Sequence, residues 1–237
     1  MRAKYLLFVL CFSTSLFSDY KFETVLSGLD DAWSLEFLSE DEIIYTEMPG
    51  KLKIANLIDG SITQIKNVPK VQYSSQGGLS EVVLDPDFAS NNMIYLSYSA
   101  RNSDGKSTLY LMSAVLNKDS LENKKVIFVA KAPRRVPVHL GAKIAFLDDG
   151  TILLASGDGF DHREKAQTLD NHFGKIIRIN KDGTIPSDNP FVNVEDALPD
   201  IYSYGHRNQQ GLIVTKTGEI YEHCLLYTSD AADDELG

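Results

Sequence analysis

The 237-residue sequence has only two cysteines and no cluster of lysine and arginine residues. Cys11 lies in an apolar segment near the start and Cys224 lies near the end, so we expect no disulfide in the domain between them. Nucleic-acid affinity depends mainly on clustered cationic side chains. With 33 acidic against 23 basic residues and a formal net charge of -10, the chain is not expected to bind nucleic acid.

The sequence also lacks the common motifs of hydrolases, zinc proteases and nucleotide triphosphatases. It contains no Gly-x-Ser-x-Gly nucleophile elbow and no His-Glu-x-x-His zinc helix. Gly105-Lys106-Ser107 lacks the earlier glycine of a phosphate-binding loop, because Ala100 occupies that position. The absence of these motifs argues against a hydrolase, a zinc protease and a nucleotide triphosphatase.

The apolar run from Tyr5 to Phe12 is too short to span a bilayer. Arg2 and Lys4 precede it, and a polar stretch of small residues from Ser13 to Ser18 follows, which is typical of a secretory signal. We expect residues 1–18 to be a signal peptide, and hence a periplasmic or secreted protein with no stable membrane span after cleavage. A buried first strand and a membrane anchor are the alternatives.

The C-terminal segment does not resemble natural protein. Residues 224–234 read Cys-Leu-Leu-Tyr-Thr-Ser-Asp-Ala-Ala-Asp-Asp, which matches the conceptual translation of a transposon-type sequencing adapter. We therefore expect residues 224–237 to derive from an adapter and the domain to cover residues 19–223. Because the segment carries four acidic residues and no basic one, the formal charge without it is -6. The alternative is a genuine acidic C-terminus.

Helical periodicity is almost absent, apart from a short stretch near Arg163 to Leu169. Pairs of short apolar segments separated by turn residues recur instead, a pattern typical of β-hairpins. The clearest pairs are Ser34–Phe37 with Ile43–Thr46, Lys143–Phe146 with Thr151–Ser156, and Gly211–Val214 with Glu219–Tyr221.

Comparable units begin near Leu35, Leu79, Ala142 and Leu212, at the spacing of four-stranded propeller blades with insertions. The fold predicted is therefore an all-β propeller. Since three or four blades do not close a ring, further blades are expected to be missing from the C-terminal side.

Dense polar motifs lie next to the predicted strands. They are Ser75-Gln76-Gly77-Gly78-Leu79 before Glu81 to Phe88, Val138-His139-Leu140-Gly141-Ala142-Lys143, Gly157-Asp158-Gly159, Gly174 to Asn180 with Asp188-Asn189-Pro190-Phe191, and Ile201-Tyr202-Ser203-Tyr204-Gly205-His206-Arg207-Asn208-Gln209-Gln210-Gly211. In this order they resemble the soluble aldose and glucose dehydrogenases that depend on pyrroloquinoline quinone (PQQ), over about residues 25–223. The resemblance implies a six-bladed β-propeller of four-stranded antiparallel blades.

The resemblance also implies the roles of five residues. His139 matches the catalytic base, which takes the proton from the anomeric hydroxyl of an aldose while hydride passes to PQQ, and Asp158 matches the carboxylate that orients it. A neutral imidazole titrates near working pH and can accept and release a proton in each turnover. Gln76, Arg207 and Asn208 match residues that hold the cofactor, and a guanidinium suits this triply acidic molecule.

The family resemblance implies calcium as a second cofactor, bound by backbone carbonyls of a Gly-Pro stretch, and an external electron acceptor. Here Cys224-Leu225 follows Glu222-His223 instead, so the metal ligands are unknown and the chain as written is expected to be inactive. Two other functions remain open: a propeller binding module without cofactor, and a calcium-dependent propeller lactonase.

Overall fold

The computed structural model describes residues 21–225, which form four antiparallel sheets. The first contains β1 (Ala32–Phe37), β2 (Glu42–Glu47), β3 (Lys51–Asn56) and β4 (Ile62–Gln64). The second contains β5 (Leu79–Leu84), β6 (Met93–Arg101), β7 (Ser107–Asn117) and β8 (Ser120–Val129), with a short helix α1 (Phe88–Asn91) between β5 and β6.

The third sheet contains β9 (Gly141–Phe146), β10 (Ile152–Ser156), β11 (Lys175–Ile179) and β12 (Ile201–Tyr204). A 3-10 turn at Arg163–Gln167 joins β10 to β11, where the sequence predicts a short helical stretch. The last sheet pairs β13 (Gln209–Val214) with β14 (Ile220–Cys224). In every sheet the strands follow chain order, which is the arrangement of propeller blades.

The hydrophobic core lies between successive blades rather than within one of them. Ile44 and Leu52 of the first blade pack with Leu96 of the second. Tyr95 and Leu111 of the second blade pack with residues of the third, and Leu153 of the third blade packs with Leu212 of β13. A central strand such as β10 is buried along its whole length for this reason.

The outermost strand of the second blade has a different pattern. β8 exposes a run of polar and charged side chains from Glu122 to Lys125. Charged residues on an edge strand oppose pairing with another chain, so this edge is suited to face solvent.

The predicted all-β propeller of four-stranded antiparallel blades is confirmed, with three complete blades and a two-stranded fourth in the described residues. The predicted blade starts are within three residues of the first strands β1, β5, β9 and β13. Asp59-Gly60, Asp104-Gly105 and Asp182-Gly183 lie at turns, and all three glycines have a positive φ. The predicted signal peptide and most of the predicted adapter segment lie outside the described residues.

Among residues 21–225, none of the helices has the length and apolar character needed to cross a bilayer.

Candidate active site

The predicted base and its carboxylate meet at one end of the third blade. Gly141 of β9 pairs with Ser156 of β10, so residues two positions outside this pair, His139 and Asp158, lie opposite each other. The Nδ1 atom of His139 is 2.8 Å from Oδ1 of Asp158, and both side chains are buried. The hairpin between them thus joins residues nineteen positions apart in the sequence.

The backbone around this pair is unusually close-packed. A Cβ atom on Gly157 would lie 2.2 Å from the carbonyl oxygen of His139 and 2.9 Å from that of Arg207, so only glycine fits there. His139 itself has a φ of 45°, a left-handed conformation that non-glycine residues seldom adopt. The turn that carries the imidazole is therefore fixed by its surroundings rather than by its own preference.

Asp158 is ionised in this environment. Burial raises the pKa of Asp158, but hydrogen bonds from the His139 ring and the Phe160 amide outweigh burial, and the pKa lies below its ordinary value. The guanidinium of Arg207, with Nη1 at 3.7 Å from Oδ2 of the carboxylate, acts in the same direction. The carboxylate is thus able to orient the imidazole and to stabilise its protonated form.

Gln76 lies in the connection between the first and second blades, and its side chain contacts the backbone of His139. Its side-chain Oε1 accepts a hydrogen bond from the backbone N–H of His139 at 2.8 Å. The backbone N–H of Asp158 donates to the carbonyl oxygen of Arg207 at 2.7 Å. Gln76, His139, Asp158 and Arg207 lie in four separate connections between strands, which these direct contacts join in pairs.

Asn208 lies beside the pair, across a cavity of about 280 Å³ that it shares with Gln76. Its Oδ1 accepts a hydrogen bond from Gln210, and the residue is buried. The structure therefore brings all five predicted site residues to one end of the propeller. Their roles stay predictions, because position alone does not establish them.

Sequence reasoning missed two residues at this site. Trp33 lines the cavity, and its indole N–H is buried without a hydrogen-bond partner among the described residues. Arg134 is buried beneath the pair, and its guanidinium donates to the carbonyl oxygens of His139 and Gly157 at 3.2 Å each. Trp33 is the one tryptophan in the chain, which could have drawn attention to it, whereas Arg134 belongs to no recognisable motif.

His206, which the sequence reasoning left out of the site, packs elsewhere. Its Nε2 is 2.9 Å from the hydroxyl of Ser203 and its Nδ1 is 3.5 Å from Glu222. Asp161 lies in an exposed turn, and Glu164 is exposed in the 3-10 turn at Arg163–Gln167.

A polyanionic quinone fits the residues around the cavity. Gln76, Asn208 and Trp33, whose indole N–H is unsatisfied, line the cavity and offer polar contacts of the kind that orient a ligand. The guanidinium of Arg207, the residue before Asn208, lies beside Asp158. An unpaired buried donor costs free energy unless a ligand or water accepts its hydrogen bond, so Trp33 is suited to meet an oxygen atom of a bound molecule.

A calcium ion fits the described side chains poorly. Within residues 21–225 the one close group of three metal-ligating side chains is His206, Glu222 and Cys224, whose candidate ligand atoms lie within 4.8 Å of one another. Imidazole and thiolate suit softer metals, whereas calcium takes oxygen ligands. The expected calcium site, on backbone carbonyls after His223, stays a prediction.

Comparison with known proteins agrees with this architecture. The family model described as glucose / sorbosone dehydrogenase matches residues 29–225. The aldose sugar dehydrogenase YliI of Escherichia coli (strain K12) is 33% identical over 210 residues, covering 86% of this chain and 56% of that protein. Curated relatives are covered over about half of their length, from 47% to 56%.

Solved structures show the same fold. A crystal structure of a glucose dehydrogenase superposes with a TM-score of 0.82 at 37% identity, covering 86% of this chain and 60% of that one. The PQQ-bound aldose sugar dehydrogenase of Streptomyces coelicolor superposes with a TM-score of 0.68 at 25% identity, covering 86% and 59%. These matches, with the blade architecture, show that the chain belongs to the glucose/sorbosone dehydrogenase family of oxidoreductases.

Proposed function

We propose that the protein from which this chain derives oxidises the anomeric carbon of an aldose with PQQ as the redox cofactor. The buried 2.8 Å pair of His139 and Asp158, next to a cavity that Gln76 and Asn208 line, carries this proposal. Membership of the family and the PQQ-bound structural neighbour support the choice of substrate class and cofactor.

In this proposal His139 is the general base. If the ring donates its Nδ1 hydrogen to Asp158, the lone pair of the neutral imidazole is on Nε2, which would accept the proton of the anomeric hydroxyl. The ionised Asp158 stabilises the imidazolium that results. Because the pair is almost fully buried, this attraction is little screened by solvent.

PQQ, when bound, supplies the two-electron acceptor to which the anomeric hydrogen is transferred as hydride. The loss of that hydride and of the hydroxyl proton together converts the aldose to its lactone. Gln76, Asn208 and Trp33, together with Arg207, would hold the cofactor near His139. We infer a periplasmic or secreted location, an external electron acceptor and a calcium ion as further parts of the proposal, on the family resemblance and the predicted signal alone.

The proposal is tested on the complete protein with an artificial dye as electron acceptor. Dye reduction by aldoses should require added PQQ, and Arg207→Met should raise the Kd for PQQ at least tenfold because a cation next to the polyanion is lost. A matched control, Arg101→Met, removes an exposed arginine whose guanidinium bonds only to the Gly105 carbonyl in the described structure. Sugar oxidation without PQQ, or no PQQ binding at micromolar concentration, would contradict the proposal and favour a binding module.

A further inference from the structure

Arg134 is a buried cation that the proposed reaction does not use directly. It exposes only 2% of its surface, and burial lowers its pKa to about 10, although the Asp158 carboxylate opposes this. A charged group removed from water is costly unless its surroundings compensate it. Arg134 is compensated only in part, because its Nε has no hydrogen-bond partner among the described residues.

The backbone of Arg134 belongs to the second blade. Its N–H donates to the carbonyl of Ser107 at 2.8 Å, and the N–H of Ser107 donates back at 2.9 Å. The guanidinium also lies over the ring of Phe173, with its central carbon 5.3 Å from the ring centroid. The side chain therefore extends from a fixed point on one blade into the next.

The two groups that the guanidinium holds belong to the turns that carry the candidate pair. Nη1 donates to the carbonyl oxygen of His139, and Nη2 donates to that of Gly157, the residue before Asp158. A planar guanidinium holds two acceptors at a fixed separation. One side chain thus sets the distance between the backbone of the base and the backbone of its carboxylate partner.

We propose that Arg134 is a positioning residue, which holds the strained turn of His139 against the turn of Asp158 and so maintains the hydrogen bond between their side chains. The expected effect on kcat rests on the proposed function, whereas the expected effect on the His139–Asp158 hydrogen bond does not. The left-handed φ of 45° at His139 persists only where its surroundings compensate the strain. Arg134 supplies one of those compensating contacts.

The test uses the complete protein with selectively ¹⁵N-labelled histidine. In the cofactor-free form, the ring ¹⁵N shifts of His139 report its hydrogen bond with Asp158 without any need for activity. Arg134→Met should shift them toward those of an imidazole without a carboxylate partner. In the PQQ-loaded form kcat should fall about 10- to 100-fold, with KM and the Kd for PQQ changed less than about threefold.

Arg178→Met is the matched control. Arg178 is also a buried arginine, but it bonds to Asp149, Thr151 and the loop at Asp188 and Asn189, away from the pair. Its loss should lower thermal stability without moving the His139 shifts. If Arg134→Met does not fold, the test uses Arg134→Lys instead. A lysine keeps the positive charge but lacks the planar guanidinium that bonds to both carbonyls, so this variant should shift the same His139 resonances.

Unchanged His139 shifts and unchanged kcat in a folded Arg134 variant would overturn the proposal. So would equal shifts in Arg178→Met, which would indicate general loosening of the blade. If the wild type has no PQQ-dependent activity but the shifts move as expected, the proposed function fails while the role of Arg134 stands.

Discussion

The Nδ1 atom of His139 lies 2.8 Å from Oδ1 of Asp158, and neither side chain exposes more than 2% of its surface. A hydrogen bond between ionisable groups is stronger in such a low-dielectric setting than at the surface. The backbone of His139 also bonds to Gln76, which lines a neighbouring cavity. The burial of the pair, and its contact with a residue that lines a cavity, distinguish it from an ordinary surface ion pair.

A second histidine-carboxylate pair in the same blade provides an internal comparison. His172 places Nε2 2.9 Å from Oδ1 of Asp200, and its Nδ1 accepts a hydrogen bond from the backbone N–H of Lys131 at 2.8 Å. Both ring nitrogens are therefore used within the protein. We assign this pair a structural role, because His172 connects the segment after β8 of the second blade to the third blade.

We expect His139→Asn to lower kcat by about two to four powers of ten, because a general base contributes that much to a proton transfer. The Kd for PQQ should stay within about threefold of the wild-type value. Steady-state dye reduction and PQQ titration of the complete protein measure the two quantities.

His172→Asn is the control for that variant. It removes a buried imidazole with a carboxylate partner, so it should lower the melting temperature while kcat per folded molecule is retained. Near-normal turnover in His139→Asn, or an equal loss in His172→Asn, would remove His139 from its proposed role.

Asp158→Asn tests the electrostatics of the pair through stability. The folded-state pKa of Asp158 lies below its ordinary value, so the unfolded chain binds more protons as pH falls, and the carboxylate contributes stability that is present above about pH 4. That contribution is lost as pH falls through the lower folded-state pKa. The difference in unfolding free energy between wild type and Asp158→Asn should therefore shrink as pH falls below about pH 4.

Urea titrations of the complete protein at several pH values measure this difference, with Asp148→Asn as the control because Asp148 is exposed. A difference that does not change with pH down to about pH 2 would show that Asp158 is not held in its ionised form.

The fold was predictable because its signals are local. Short apolar segments separated by turns that carry Asp or Gly predict the hairpins of β1–β2, β9–β10 and β13–β14, which the structure contains at nearly the same residues. The proximity of His139 and Asp158 was predictable too, since one short hairpin separates them.

Arg134 could not be predicted in this way. It acts on two backbone carbonyls, and every residue has a carbonyl, so its partners leave no mark in the sequence. The left-handed backbone of His139 was equally hidden, because histidine has no general preference for that conformation over others. Packing between blades determines both features, and local sequence does not report it.

Lys175 provides a prediction at alkaline pH. Burial lowers its pKa to about 8, although Asp170 opposes this, while its Nζ donates to the carbonyls of Lys165 and Ala166 at 3.0 and 3.1 Å. Between about pH 8 and the unfolded-state value near 10.4 the unfolded chain binds more protons than the folded one. Wild type should therefore gain stability relative to Lys175→Met as pH rises through this window.

Chemical denaturation at pH 7, 8, 9 and 10 measures that gain. The exposed Lys216 is the control, and Lys216→Met should show no such pH-dependent difference. A gain that is absent or of opposite sign would mean that Lys175 stays protonated in the folded state.

Apolar faces at the two ends of the blade series carry the last prediction. On the first blade, Leu35 and Phe37 expose 54% and 60% of their surface and line a groove of about 440 Å³. On the fourth, Ile213 and Tyr221 expose 60% and 58%. The faces between them are covered by neighbouring blades, and soluble proteins rarely leave large apolar patches exposed.

The described residues make up three and a half blades, and the chain covers 60% of the glucose dehydrogenase structure that it matches, a share consistent with a ring of about six blades. We therefore predict that genomic sequence after the codon for His223 encodes further blades that cover both faces.

A protein of residues 19–223 should bind the dye ANS and self-associate in sedimentation experiments, whereas the complete protein should do neither. Phe37→Ser should reduce ANS binding by the fragment, yet destabilise the complete protein by about 2–4 kcal/mol because the ring is then buried. The prediction would be contradicted by a monomeric fragment that binds no ANS and by a Phe37→Ser variant of the complete protein with unchanged stability. Those results would show that no further blades pack on these faces.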